Sequence, residues 1–137
     1  MIHAPTMLGP RLHNGRRPQS CAPILLVEDE PFIAATLCDD LQDHGYAVVH
    51  TDNGAEALTM LATGRFHTII TDLRLPGADG QQVVCAARKH DPRARILVIT
   101  AFAPEHLEAL LRAGAGKVLQ KPFLNDRVIE WLRNGAG

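Results

Sequence analysis

The sequence predicts an α/β fold in which helices cover a parallel β-sheet. Five short apolar segments of strand length alternate along the chain with five segments that carry apolar residues at helical spacing. Alternation of this kind indicates a parallel sheet with right-handed crossover connections. Ile24–Val27 and most of Arg95–Thr100 are continuous apolar runs, which is typical of strands that are buried on both faces.

The chain has the size of one domain. Its 137 residues, of which 46% are hydrophobic, are enough to bury a core. Residues 1–22 contain proline, glycine and arginine but no apolar block of secretory length, and we interpret them as a disordered leader. The predicted domain therefore occupies residues 23–137.

Composition limits the kinds of partner that we expect. A formal net charge of −1 gives no reason to expect direct binding to nucleic acid or to an anionic membrane. The apolar runs are much shorter than the roughly 20 residues of a transmembrane helix. Three cysteines without a C-x-x-C pair favour a reducing cytoplasm and indicate neither a disulfide framework nor a zinc site. The seven histidines lack metal-ligand spacing, and we interpret them as surface or capping residues.

The first part of the chain predicts two strand–helix units. Ile24–Val27 is the first strand, and Pro31 is well placed in the first turn of the helix that follows. Tyr46–Thr51 is the second strand. Asn53, with Glu56 three residues later, resembles a capping box and predicts the start of the second helix.

Three more strand–helix units follow. Their strands are Phe66–Thr71, Arg95–Thr100 and Lys117–Gln120. We expect Asp79 to cap the third helix, which runs to about His90. Pro104 is expected to open the fourth helix and Gly114 to close it. The last helix is predicted to include Phe123.

Polar side chains stand at the ends of four of the predicted strands. They are Glu28 and Asp29 after the first strand, Asp72 after the third, Thr100 at the end of the fourth and Lys121 after the fifth. Because ligands of parallel α/β sheets bind beyond the carboxyl ends of the strands, we expect these side chains to meet in one crevice. The second strand contributes no comparable residue, as expected for an edge strand.

The combination of these groups predicts a chemistry. Three carboxylates in one crevice repel one another unless they share a proton or a cation. Oxygen ligands favour a hard divalent ion, and Mg²⁺ combines one or two carboxylates with water and phosphate oxygens. The lysine and the threonine hydroxyl would then face the outer oxygens of a phosphoryl group. We therefore expect phosphoryl transfer onto Asp72, with the metal and Lys121 stabilising the charge.

Four motifs resemble the receiver domain of bacterial two-component response regulators. They are Val27-Glu28-Asp29-Glu30, the run Asp72-x-x-x-Pro76-x-x-Asp79-Gly80, Ile99-Thr100-Ala101 and Lys121-Pro122-Phe123. Their order and spacing match that family, and the resemblance covers residues 22–132. It implies a flavodoxin-like, doubly wound sheet of five parallel strands in the order 2-1-3-4-5, with five helices.

The resemblance also implies a role for each site residue. Asp72 would be the phosphoacceptor. The implied Mg²⁺ ligands are Asp29, Asp72, the backbone carbonyl of Arg74 and, through a water molecule, Glu28. Thr100 and Lys121 would contact phosphoryl oxygens after phosphorylation, and Pro122 corresponds to a cis-proline position. The implied chemistry is self-phosphorylation and self-dephosphorylation, not turnover of a separate substrate.

The implied partners are proteins. The phosphodonor would be a phosphohistidine on a histidine kinase or on a histidine phosphotransfer protein, and a downstream protein would receive the signal. We expect the signal to shift the population of two packings of the fourth helix, fifth strand and fifth helix. The residues that mark this partner or homodimer surface are Arg112, Lys117, Arg127 and Glu130.

Two residues depart from the family pattern. Val118 replaces an aromatic residue that usually lies three residues before the lysine, which places the usual switch in doubt. Phe102 is bulky at a position that is often small, and we expect it to screen the phosphoryl group or to take over part of the switching.

Three alternatives to a stand-alone receiver follow from the same residues. Val118 supports a phosphorylation-independent interaction module, and a detached receiver of a hybrid histidine kinase is a second alternative. An aspartate-nucleophile phosphatase is disfavoured, because Arg74 occupies the position of the second aspartate that would serve as its acid and base.

Overall fold

A computed structural model describes residues 6–8, 22–101 and 107–134, with the backbone alone for residues 6–8. The strands are β1 (Thr6–Leu8), β2 (Ile24–Val27), β3 (Val48–Thr51), β4 (Thr68–Asp72), β5 (Arg95–Thr100) and β6 (Lys117–Gln120). The helices are α1 (Pro31–Asp43), α2 (Gly54–Thr63), α3 (Gly80–His90), α4 (Leu107–Ala113) and α5 (Asn125–Arg133). None of the helices formed by these residues is long and apolar enough to span a membrane.

The strands form one sheet in the order β1-β3-β2-β4-β5-β6. The five strands from β2 to β6 are parallel to one another, so the predicted parallel sheet in the order 2-1-3-4-5 is confirmed. β1 is an addition to this prediction: it pairs antiparallel with β3, and Thr6 lies opposite His50. Thr6–Leu8 lies within residues 1–22, which the sequence predicts to be a disordered leader, and a strand of three residues is too short to show a periodic apolar pattern.

Helices bury both faces of the parallel sheet, as the continuous apolar strands require. Alternate residues of a strand point to opposite faces. Leu26 of β2 accordingly belongs to a buried cluster with residues of α1 and α5, whereas Leu25 and Val27 belong to a second cluster with residues of α2, α3 and α4. Burying each of these aliphatic side chains contributes about 1.5–3 kcal/mol to folding. The two clusters fix the sheet and therefore the positions of its strand ends.

The helix starts of α2 and α3 use the predicted caps. Asp79 accepts a hydrogen bond from Gln82 N–H at 2.9 Å, and the Gln82 side chain accepts from Asp79 N–H at 3.0 Å. α3 therefore begins with a complete capping box. At α2, Asn53 Oδ1 accepts from Glu56 N–H at 3.1 Å. The Glu56 carboxylate, however, accepts the hydroxyl of Thr51 at 2.6 Å, so the carboxylate is used to fasten the helix to β3.

β3 and β4 each begin two residues later than predicted. Tyr46 N–H donates to Leu41 O at 3.0 Å and still belongs to the turn that ends α1. β4 extends to Asp72, which is the last residue of the strand. The candidate site residue is therefore held by the sheet itself.

The later connections differ in small ways from the prediction. Gly114 follows α4 with a φ of 120°, as expected for the glycine that closes a helix. Phe123 lies before α5, which begins only at Asn125. Pro104, which was predicted to open α4, lies outside the described residues.

Candidate functional site

The predicted site residues lie together at the carboxyl ends of the parallel strands. Asp72 ends β4 and Thr100 ends β5, while Glu28 and Asp29 follow β2 and Lys121 follows β6. One carboxylate oxygen from each of the three acidic residues lies within 4.8 Å of the other two. The structure therefore assembles the carboxylate cluster that the strand ends predict.

Lys121 is the positive centre of this site. Its Nζ atom lies 2.7 Å from Asp72 Oδ2, 2.8 Å from Glu28 Oε1 and 3.1 Å from Glu30 Oε1. The Lys121 side chain is 10% exposed and that of Glu28 is fully buried, so these charges are largely removed from water. The contact with Glu30 was not predicted, although Glu30 was visible in the sequence as the third residue of an acidic run.

Burial and neighbouring charge set the protonation of these groups. Burial raises the pKa of Glu28 to about 7, the hydrogen bond from Lys121 opposes this rise, and the Asp72 carboxylate adds to it. Burial alone would lower the pKa of Lys121, but hydrogen bonds and charge from Asp72 and Glu28 outweigh it and raise that pKa. The ammonium is therefore charged at neutral pH, and the carboxylates still need a proton or a further cation.

Backbone groups hold the Asp72 carboxylate in place. Its Oδ1 atom accepts from Leu73 N–H at 2.6 Å and from Arg74 N–H at 3.3 Å. Gly80 N–H donates to Leu73 O at 2.8 Å and closes the loop that follows β4. A Cβ atom at Gly80 would overlap the Asp72 carbonyl, so the start of α3 approaches the site only because this residue has no side chain.

The same loop packs against the start of α2. Gly54 N–H donates to Pro76 O at 2.8 Å. A Cβ atom at Gly54 would overlap the carbonyl group of Ala78, and Gly77 has a φ of 85° that favours glycine. The loop between β4 and α3 is thus held from both sides, which fixes the backbone of Arg74.

An open pocket of about 270 Å³ lies above the carboxylate cluster. Its lining residues are Asp29, Glu30, Asp72, Arg74, Ala101 and Lys121. Thr100 is buried beside it, with its carbonyl accepting Lys121 N–H at 2.7 Å. The pocket has room for a phosphoryl group and several water molecules, since a water molecule occupies about 30 Å³ in the liquid.

The donor set fits a hard divalent cation. All the available side-chain ligands are carboxylate oxygens, as Mg²⁺ prefers. Glu28 Oε1 is buried, and its contact with the Lys121 ammonium at 2.8 Å leaves one of its two lone pairs without a donor among the described residues. A buried oxygen with unused acceptor capacity is an additional sign that a cation or its water belongs here.

His50 is a residue of this region that the sequence analysis missed. Its Nε2 atom lies 2.8 Å from the carbonyl oxygen of Glu28. The interpretation of all histidines as surface or capping residues is wrong for His50, which is half-buried within β3. A single histidine in a short strand gives no periodic signal that would have revealed this contact.

Pro122, Val118 and Phe102 are the other residues that the sequence singles out. The peptide bond between Lys121 and Pro122 is cis, as the resemblance implied. Val118 is half-buried in β6 and packs against the cluster formed with α2, α3 and α4. Phe102, which we expected to screen the phosphoryl group, lies outside the described residues.

The predicted partner surface is accessible to solvent. Arg112 on α4 and both Arg127 and Glu130 on α5 are exposed, and Lys117 at the start of β6 is half-buried. Arg112 forms an exposed ion pair with Glu108, at 3.7 Å, which contributes little to stability. These side chains are available for protein contacts.

Curated relatives are similar in sequence over most of the chain. The response regulator receiver protein CpdR of Brucella abortus is 39% identical over 109 residues, covering 78% of this chain and 91% of CpdR. Other curated relatives are longer proteins. The chain spans 45%, 22% and 49% of the length of three of them.

Solved structures with the same fold include ligand-bound response regulators. The Thermotoga maritima response regulator TrrA, in complex with Mg²⁺ and BeF, is 32% identical with a TM-score of 0.73, covering 82% of this chain and 96% of TrrA. A response regulator from Burkholderia pseudomallei, with a phosphorylated aspartic acid, a calcium ion and citrate, is 30% identical with a TM-score of 0.75, covering 84% of this chain and 68% of that one.

The family assignment rests on the whole domain. Residues 24–133 match the response regulator receiver domain family. Domains of this family are phosphoacceptors in two-component signalling and interact with histidine kinases and downstream effectors. With its strand order, its acidic cluster and its lysine at the end of β6, this chain belongs to the response regulator receiver domain family.

Proposed function

We propose that the protein is a stand-alone receiver in the cytoplasm, which accepts a phosphoryl group on Asp72 and signals through protein contacts. One observation carries this proposal: the Lys121 ammonium contacts Asp72 Oδ2 at 2.7 Å and Glu28 Oε1 at 2.8 Å, beside a cluster of three carboxylates. The phosphorylated aspartic acid and calcium ion of the Burkholderia pseudomallei protein support it.

The transfer is an exchange of one bond for another. A carboxylate oxygen of Asp72 attacks the phosphorus of a phosphohistidine, forming an O–P bond as the N–P bond of the donor breaks. The donor imidazole keeps the electron pair of that bond and is protonated by solvent. Lys121, whose pKa is raised, stays charged and stabilises the negative phosphoryl oxygens.

Mg²⁺ has a defined set of ligands in this proposal. Asp29 and Asp72 of the carboxylate cluster would hold the ion together with the backbone carbonyl of Arg74, and Glu28 would act through a water molecule. Bound Mg²⁺ supplies positive charge that offsets the carboxylates and the phosphoryl oxygens. The hydrogen bonds from Leu73 and Arg74 hold the acceptor carboxylate before the donor arrives.

Thr100 is proposed to bond a phosphoryl oxygen through its hydroxyl. It ends β5 one residue beyond Ile99, which pairs with Asp72 across the sheet. The residue is buried, so the sheet fixes its position beside the acceptor. The hydroxyl of Thr100 and the ammonium of Lys121 would then contact different phosphoryl oxygens.

The proposed donor is a histidine kinase or a histidine phosphotransfer protein, and the proposed receiver of the signal is another protein. The surface around Arg112, Lys117, Arg127 and Glu130 is proposed to bind that target or a second copy of the chain. The chemistry is limited to phosphorylation and dephosphorylation of Asp72. The extent of CpdR, of which the chain covers 91%, supports a single-domain response regulator.

Val118 supports a second candidate function, a receiver-like module that binds its partner without phosphorylation. This half-buried valine stands where the switching aromatic of the family was expected. The chain also spans less than half the length of several relatives, which keeps the receiver of a longer protein, such as a hybrid histidine kinase, as an alternative.

The mass of the intact protein tests the proposal. The protein is incubated with Mg²⁺ and a small acyl phosphate, beside an Asp72→Asn variant and a sample with a metal chelator. A single phosphoryl adduct that disappears in both controls is the expected result. An adduct on Asp72→Asn contradicts the proposal, and no adduct despite calorimetrically confirmed Mg²⁺ binding favours the phosphorylation-independent module.

A further inference from the structure

We propose that His50 is a positioning residue for the phosphorylation site, because its imidazole holds the carbonyl of Glu28 and with it the peptide that joins Glu28 to Asp29. The inference rests on the proposed function, since these two residues are proposed to serve the metal. His50 is linked to these two residues through the backbone. The link is a single hydrogen bond to the backbone, 2.8 Å long.

The sheet leaves this carbonyl without its regular donor. Glu28 N–H donates to Thr51 O at 3.1 Å, which extends the parallel ladder between β2 and β3 by one residue. In a parallel ladder the Glu28 carbonyl would accept from the N–H of Asn53, two residues further along the neighbouring chain. Asn53 N–H instead donates to Thr51 Oγ1 at 3.3 Å, and Asn53 is the N-cap residue of α2.

His50 supplies the missing donor. A carbonyl oxygen only accepts hydrogen bonds, so the contact requires the tautomer with a proton on Nε2. The backbone of His50 is in register with Leu26 of β2 on one side and with Thr6 of β1 on the other. Strands on both sides thus fix the residue from which the imidazole reaches the end of the sheet.

The peptide that this bond holds connects two parts of the site. On its amino side, the buried Glu28 carboxylate contacts Lys121 at 2.8 Å. On its carboxyl side, Asp29 places an oxygen within 4.8 Å of oxygens of Glu28 and Asp72. Rotation of this peptide would turn the Asp29 carboxylate away from the cluster, so the imidazole bond favours the arrangement in which the Glu28 and Asp29 carboxylates both lie in the cluster.

The test compares His50→Leu and His50→Gln with the unchanged chain. Leucine removes the donor and fills the site with an apolar side chain, whereas the glutamine amide restores a donor near the position of Nε2. His90→Leu is the matched control, since His90 is exposed at the end of α3. Leu132→Ala on α5 is a control for general destabilisation, because its buried side chain lies in the core cluster formed with α1 and α5.

Two readouts separate positioning from stability. Calorimetry measures Mg²⁺ affinity, and NMR of the metal-free protein measures amide exchange at Asp29 and Glu30. We expect His50→Leu to bind Mg²⁺ about five- to tenfold more weakly and to exchange these amides faster by a similar factor. His50→Gln is expected to recover most of both losses. Leu132→Ala is expected to lower the melting temperature while keeping the Mg²⁺ affinity.

The outcomes distinguish this inference from the proposed function. Unchanged Mg²⁺ affinity and amide exchange in His50→Leu would overturn the role of His50, and so would equal losses in His50→Gln and His50→Leu. Failure of the unchanged protein to accept a phosphoryl group would overturn the proposed function alone. The calorimetry and the metal-free amide exchange would still decide whether His50 positions the acidic loop.

Discussion

Lys121 Nζ lies 2.7 Å from Asp72 Oδ2, which joins the residue after β6 to the end of β4 across the intervening strand β5. The same ammonium contacts Glu28 and Glu30, so one positive charge is shared among three carboxylates. Such a group is costly to bury unless the charges compensate one another. The contact therefore stabilises the metal-free protein and also holds the side chains of the site in place.

Removing the ammonium should destabilise the metal-free protein. We expect Lys121→Met to lower the free energy of unfolding by about 2–4 kcal/mol in the presence of a chelator, because buried carboxylates lose their compensating charge. Added Mg²⁺ should restore part of this loss by binding the same carboxylates. Urea denaturation with and without Mg²⁺ measures both effects.

Lys89→Met is the matched control for this experiment, since Lys89 is exposed on α3. We expect it to change the free energy of unfolding by less than about 0.5 kcal/mol. Equal stability of Lys121→Met and Lys89→Met without metal would show that the ammonium does not compensate the carboxylates.

The raised pKa of Glu28 predicts a pH dependence of stability without metal. The folded protein keeps this proton up to about pH 7, whereas the unfolded chain releases it near the ordinary value of 4.5. Between these values the folded state binds more protons, so the free energy of unfolding falls as the pH rises. We expect Glu28 to account for a loss on the order of 2–3 kcal/mol across this range.

Glu28→Gln isolates this contribution. Denaturation of both proteins at about pH 5 and at about pH 8 in a chelator should show a smaller fall in stability for the variant. In the unchanged protein Mg²⁺ affinity should rise over the same range, because the metal competes with the proton. An identical pH dependence in the two proteins would show that Glu28 is not the group that titrates.

Gly54 lies so close to the backbone of Ala78 that we expect this position not to tolerate a side chain, although it is remote in sequence from Asp72. A Cβ atom there would overlap the Ala78 carbonyl and push the loop between β4 and α3. We expect Gly54→Ala to cost about 2–3 kcal/mol of stability and to weaken Mg²⁺ binding. In Gly116→Ala the new Cβ would lie 3.4 Å from Ile96 O, and we expect a change within about 1 kcal/mol. Two variants of equal stability would argue against the tight contact.

The cysteines are expected to differ in reactivity. Cys38 is buried on α1, and burial raises its pKa to about 11, with the Asp39 charge adding to the rise. At about pH 8 its thiolate fraction is therefore about one part in a thousand. Cys85 is exposed on α3. In a protein carrying Cys21→Ser, iodoacetamide should modify Cys85 rapidly and Cys38 only after denaturation, as read by peptide mass spectrometry.

Much of the fold followed from local sequence patterns. Short apolar segments marked all five parallel strands, and the strands at Ile24–Val27 and Arg95–Thr100 were the clearest because strands buried on both faces carry little polar sequence. β1 was missed because Thr6–Leu8 is shorter than any recognisable period. The starts of β3 and β4 were predicted two residues too early. Tyr46 and Phe66 lie in the connections before these strands, and they are apolar because they pack against the core.

The residues that form the site could be predicted from the sequence, but the contacts that hold them in place could not. The topology of a parallel sheet brings the polar residues after its strands to one edge, which is why Glu28, Asp72 and Lys121 were identified together. The roles of His50 and Gly54 depend on a hydrogen bond to a backbone carbonyl and on a close backbone approach. Neither feature leaves a pattern in the sequence.

The most direct test of the phosphoacceptor role identifies the modified residue itself. After incubation with Mg²⁺ and a small acyl phosphate, borohydride reduces an aspartyl phosphate to homoserine, which peptide mass spectrometry locates. We predict homoserine at position 72 alone, and none when the metal is chelated. Homoserine at another aspartate, or a phosphoryl adduct that leaves Asp72 unchanged, would contradict the assignment of Asp72 as the phosphoacceptor.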